Sequence, residues 1–171
     1  MHPFVDRMIR ASKLDVSLYE EVEADKSALL QSMMVVILSS VAGGLGIVRD
    51  TGFIGIFSGT LAALIGWLIW AYVTYIIGTK ILPAPETKSD YGELLRTIGF
   101  SSSPGLIRVL GIIPGLAWIV QTAAGIWMLI AMVIAVRQAL DFTSTFRAVG
   151  VCIIGWVIQI IVFAIFYGLV N

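Results

Sequence analysis

Histidine and cysteine are nearly absent from this chain, with one of each in 171 residues. His2 sits beside the amino terminus, and Cys152 lies inside an uncharged run, where its expected role is that of a small buried residue. No zinc-like Cys/His cluster is available, and neither a GxxxxGK(S/T) phosphate loop nor an HExxH pair occurs. An intramembrane serine hydrolase would need a base beside Ser101, Ser102 or Ser103, yet the nearby spans hold no histidine or lysine. The chain therefore reads as non-enzymatic, with no catalytic residue, no metal site and no cofactor. Charge is scarce too. Asp, Glu, Lys and Arg make up 13% of the residues, against about 25% in soluble domains.

In place of charge there are long apolar runs. Ala28 to Val48, Ile54 to Ile77, Leu116 to Val136 and Ala148 to Val170 carry no charge and are 21 to 24 residues long. A helix rising about 1.5 Å per residue needs about 20 residues to cross a hydrocarbon layer of roughly 30 Å. Backbone groups cannot stay unpaired in lipid, so continuous helices are expected, and the runs lack the alternation of a membrane barrel. Hydrophobic residues are 58% of the chain and the mean hydropathy is +0.96. A signal peptide is a poor reading of the first run, because 27 residues precede it and it outlasts an h-region of about 7 to 15 residues.

The fold expected is an all-α integral membrane bundle. Residues 1–27 form a cytoplasmic amphipathic arm, and residues 28–171 form a five-span domain with spans near 28–48, 54–77, 91–113, 116–136 and 148–170. The third span is the irregular one: Thr97 to Leu116 carries Arg108, and Ser103, Pro104 and Gly105 bend it. With this span included, nine Lys and Arg flank the spans on the starting side and one on the other, Arg108 aside. The positive-inside rule then places the amino terminus in the cytoplasm and the carboxyl terminus outside. A re-entrant dip at the third stretch would leave four spans and move Arg137 and Arg147 to the opposite face.

In the arm, Phe4, Val5, Met8 and Ile9 recur at helical spacing, which suits an interfacial helix lying along the membrane. Ser17 with Glu20 forms a capping-box pattern, and Asp25 is placed to cap the first span.

Small residues mark packing faces. Gly55, Gly59, Ala62 or Ala63, and Gly66 line one side of the second span. Ala117, Gln121, Ala124, Met128, Ala131 and Ala135 share a face of the fourth, and Ala148, Cys152, Gly155 and Gln159 a face of the last. Lipid supplies little drive for helix association, so such faces hold a bundle together by close backbone approach. Intramolecular packing is the preferred reading, with a subunit interface second. Arg108, Gln121 and Gln159 form a candidate intramembrane polar site. The plainer reading has the glutamines bracing helices while Arg108 snorkels toward the outer turn at Gly111 to Gly115 or pairs with Asp50. The aromatics Trp67, Trp70, Trp118, Trp127 and Trp156 read as belt or packing residues.

The segment Tyr91-Gly92-Glu93-Leu94-Leu95-Arg96-Thr97-Ile98-Gly99-Phe100-Ser101-Ser102-Ser103-Pro104, with Leu18-Tyr19-Glu20-Glu21-Val22 leading into the first span, resembles the Yip family of five-span membrane proteins, whose eukaryotic members interact with Rab-type small GTPases. The resemblance implies a prokaryotic inner-membrane member with no enzymatic signature. The chain lacks the Asp-Leu-Tyr-Gly-Pro type signature of eukaryotic members, which tells against small-GTPase binding. The expected partners are membrane lipid and a second copy or another membrane protein, with no nucleic acid. The function expected is helix packing that organises or shapes the bilayer; the alternative is a small-molecule or ion pathway at Arg108, Gln121 and Gln159. An odd number of crossings predicts that tags at the two chain ends are reached by membrane-impermeant reagents from opposite faces.

Overall fold

A computed structural model describes residues 3–170, and at 50, 51 and 162–170 only the backbone. All regular structure among the described residues is helical. The helices are α1 (Pro3–Ser12), α2 (Val16–Ala24), α3 (Ala28–Gly46), α4 (Val48–Ile76), α5 (Tyr91–Phe100), α6 (Ala117–Ala139) and α7 (Thr145–Val170). A π-helical turn, Ile77–Ile81, extends α4, and a 3-10 run, Ser103–Ile112, follows α5.

Local chemistry sets the helix ends. Asp15, rather than the Ser17/Glu20 pair, caps α2 by accepting from the Ser17 amide at 3.0 Å. Asp25 accepts from the Ser27 amide and hydroxyl at 2.9 and 2.6 Å, which orders the turn just before α3 instead of capping it directly. Asp90 and Glu93 exchange side-chain and backbone bonds in a full capping box at the start of α5. Gly52, at φ 66° and ψ −177°, breaks α4 after its first turn, in a conformation that side-chain-bearing residues rarely adopt.

Among the described residues, three helices are long and apolar enough to cross a membrane: Ala28–Gly46, Gly52–Ile81 and Ala117–Ala139. The described part of α7, Thr145–Ile161, is a shorter apolar helix. Phe53, Ile54, Phe57, Trp118 and Phe146 are each more than three-quarters exposed. That surface suits hydrocarbon and is far beyond what a soluble monomer leaves open.

The third apolar stretch is not one continuous α-helix over 91–113. Its α-helical part stops at Phe100, and Pro104, which has no amide hydrogen to donate into an α-helical ladder, opens the 3-10 run. The whole stretch runs parallel to α3 in close register. Gly99 lies against Ser32, Gly105 against Ser39, Arg108 against Gly43 and Gly46, and Gly111 against Gly46. A Cβ at Gly46 would collide with the Arg108 carbonyl oxygen, and one at Gly111 would sit 2.9 Å from the Gly46 carbonyl oxygen. The steeper rise of a 3-10 run, about 2.0 Å per residue, lets Gly99 to Gly111 keep pace with the longer α-helical stretch from Ser32 to Gly46.

The arm is folded onto the bundle, with Val5 and Ile9 of α1 left exposed. Ala11, Leu18, Tyr19 and Val22 are fully buried with Val35, Phe100 and Ala135. Arg96 is 5% exposed, and its guanidinium donates to the carbonyls of Val22, at 2.9 Å, and Glu23. These are the unsatisfied carbonyls at the end of α2, where a cation is also favoured by the helix dipole. Arg7 pairs with Glu21 and Asp25 at 2.9 and 2.8 Å, and Arg10 with Asp15 and Glu21 at 2.9 and 2.5 Å. Three carboxylates of the arm, Asp15, Glu21 and Asp25, are thereby paired from within.

These ion pairs lower the affinity of the carboxylates for protons. Glu21 is held down first by Arg10 and Asp25 first by the Ser27 hydroxyl, with Arg7 adding to both. Glu23 goes the other way. Burial, reinforced by Glu93, Asp141 and Glu20, pushes its carboxyl up to about 7.

Two outcomes follow from this packing. Gly46→Ala should lower stability in detergent by about 1–3 kcal/mol through overpacking, while Gly59→Ala, whose new Cβ meets nothing within 4 Å, should be neutral or slightly stabilising in a thermal unfolding series. For the arm, the docked form binds Glu23's proton more tightly than the free form does. Docking strength is therefore complete below the ordinary Glu value of 4.5 and declines as pH rises through about 7. Hydrogen exchange of α1 and α2 should quicken between pH 5 and pH 8, and Glu23→Gln should flatten that rise.

Candidate functional site

Arg108 is carried by the 3-10 run at the level of Gly43 and Gly46, but its guanidinium turns back toward the start of α3. Nε donates to the Gly105 carbonyl at 3.1 Å, and Nη2 donates to the Ser39 carbonyl and hydroxyl, both at 2.9 Å. Snorkelling toward the outer turn is thus overturned: helical side chains lean toward the amino-terminal end, and the acceptors lie there. Asp50, the other expected partner, has its side chain outside the described residues. Among the described residues no carboxylate pairs with Arg108, and Nη1 makes no hydrogen bond. An arginine at such depth costs at least about 2.5 kcal/mol on insertion scales, and the two Ser39 acceptors offset part of it.

The other two polar residues part company. Gln121 donates from Nε2 to the Gly43 carbonyl at 3.1 Å, on the same small face of α3. Gln159, half-buried on α7, makes no hydrogen bond to another described residue. It joins Arg108 in the wall of a cavity of about 340 Å³, and Gln121 does not. Ser39, Ser40 and Ser102 supply further hydroxyls, while Trp67, Trp70, Trp156, Met128 and Met132 supply the apolar wall. These positions fall near the mid-lengths of α3, α4, α6 and α7. A second, almost wholly apolar cavity of about 370 Å³ lies in the cleft between α4 and α7, and Gly66, Trp70 and Gln159 line both.

The small residues divide as well. Ala124, Ala131, Ala135, Ala148, Cys152 and Gly155 are buried, and a Cβ at Gly155 would sit 3.0 Å from the Trp70 ring. Gly55 is half-buried. Gly59 and Gly66 have nothing within 4 Å of a Cβ position, so intramolecular packing does not use them. The tight contacts fall at Gly46, Gly78, Gly99, Gly105 and Gly111. In the third-span bend, Ser103, Pro104 and Gly105 are buried; Ser101 Oγ donates to the Ile98 carbonyl at 2.7 Å, and Ser103 Oγ is buried without a partner. Trp67 donates to the Leu95 carbonyl at 3.0 Å, whereas the buried indole nitrogen of Trp70 has no partner.

Sequence reasoning missed the cavity wall. Ser39 and Ser40, polar residues in mid-run, were its available signal; the convergence of tryptophans from two helices had none.

No curated protein and no solved structure matches the chain. The Yip1 domain matches residues 19–166, from the buried Tyr19 of the arm through the whole bundle into α7. The chain is a membrane protein of the Yip1 domain family.

Proposed function

We propose that this protein is non-enzymatic and acts by packing the open face of α4 against a second copy or another membrane protein, organising or shaping the bilayer around the contact. The observation that carries this reading is the empty space over Gly59. Small residues let backbones approach closely, which is how helices associate in lipid. Here that surface is unused within the chain, and Phe53, Ile54 and Phe57, on the preceding turns of α4, stand at least 76% exposed. The Ser101 hydroxyl is tied to the Ile98 carbonyl, which supports the non-enzymatic part.

The layout that goes with this function has five crossings, with residues 1–27 in the cytoplasm, the carboxyl terminus outside and the inner membrane as the location. The parallel register of 91–112 with α3 supports it, because a segment that follows a spanning helix from Ser32 to Gly46 travels the same distance in the same direction. Laid end to end, ten α-helical and ten 3-10 residues reach about 35 Å, enough for a hydrocarbon core of roughly 30 Å.

Cysteine placed by Gly59→Cys in a Cys152→Ser background should give oxidative crosslinks in native membranes, to itself or to a distinct membrane protein. Ala71→Cys, at a buried position of the same helix, should not crosslink, and Gly59→Leu should abolish the association while the monomer stays folded. A strictly monomeric Gly59→Cys protein that recovers no partner overturns the reading.

A further inference from the structure

The two adjoining cavities share Gly66, Trp70 and Gln159 in their walls, and the one that Arg108 lines is the more polar. There, the Nη1 donor of Arg108 is left over after Ser39 and Gly105 take the other nitrogens, and no described carboxylate answers the charge. Gln159, half-buried in the same wall, brings a side-chain amide that makes no hydrogen bond to another described residue. Buried polar groups are normally satisfied, and a cluster that is not, around an uncompensated cation, matches an anionic acceptor. On the other side of Gly66 and Trp70 lies the apolar cleft between α4 and α7, lined by Ile65, Ile69 and Ile158. Together the two have the shape and polarity of a pocket with an apolar body and a few convergent polar groups.

We infer that the two cavities together bind an anionic amphiphile, with the carboxylate or phosphodiester head on Arg108 and Gln159 and the acyl chain lying in the α4–α7 cleft. The head and the guanidinium then neutralise each other where either alone would be costly, and the chain exchanges one hydrocarbon surface for another. Gly66 is the gate residue between the two halves. Its Cβ position is open, so a larger side chain there narrows the passage without a local clash. This binding is independent of the α4 contact proposed above, since Gly59 lines neither cavity.

The test is native mass spectrometry of the full chain released from detergent with equimolar phosphatidylglycerol, oleate or phosphatidylcholine. Retention of one phosphatidylglycerol or one oleate, at least about tenfold over phosphatidylcholine, is expected, and the two anionic arms separate a lipid headgroup from a free fatty acid. Arg108→Gln should erase that preference, about a tenfold loss for one charge-assisted contact, and Arg108→Lys should keep part of it. Gly66→Leu should weaken retention of every amphiphile while leaving the melting temperature unchanged. A photoactivatable group on the acyl chain should label α4 and α7. Equal retention of neutral and anionic lipids by the wild-type protein overturns the inference, as does an anionic preference that survives in a folded Arg108→Gln or Gly66→Leu protein.

Discussion

Backbone-to-backbone contact between α3 and the stretch that carries Arg108 organises this molecule. Two helices can approach so closely only where side chains are missing, and Gly46, Gly105 and Gly111 supply the gaps, with Ser39 filling the space against Gly105. The contact fixes the register of 91–112, and the register decides which α3 carbonyls Arg108 meets. It also brings Gln121 within reach of the Gly43 carbonyl, so α6 is braced against the same face. In a medium that gives helices little reason to associate, dispersion across a close contact and a few directed hydrogen bonds must do what the hydrophobic effect does in water.

A second layer of organisation lies at the arm. Arg96 reaches from α5 to the last carbonyls of α2, while Arg7 and Arg10 gather the acids of the arm into one network. The same few residues thus close a helix end, neutralise a cluster and seat Leu18, Tyr19 and Val22 on Phe100 and Ala135. Glu23, placed among Glu20, Glu93 and Asp141, is the member of the cluster with the least help, and its proton affinity records that.

The uncharged runs made the helical class and the membrane setting legible, because length and charge depletion are properties of single segments. The lead-in from Leu18 and the Tyr91 to Pro104 stretch made the family legible. Partner choice was harder to read. Gly59 and Gly66 share the spacing that marks a packing face, yet no group packs against either Cβ position, whereas Gly46 and Gly111 meet neighbouring backbone closely without standing out in a periodic pattern. Periodicity shows that a face exists; which neighbour lies on it depends on the register of a distant segment. Arg108 shows the same limit. Its nearness in sequence to the outer turn argued for snorkelling, but its acceptors at Ser39 lie 69 residues away and in the other direction.

The order of these segments along the chain has a consequence for biogenesis. Synthesis proceeds from the amino terminus, so α3 and its Ser39 carbonyl leave the ribosome before residues 91–112 do. Arg108 therefore follows its acceptor, and the proline-broken stretch settles against a helix already made. A permuted chain that delivered the broken stretch first would present a naked guanidinium to the translocon, with the docking surface that tames it still unmade.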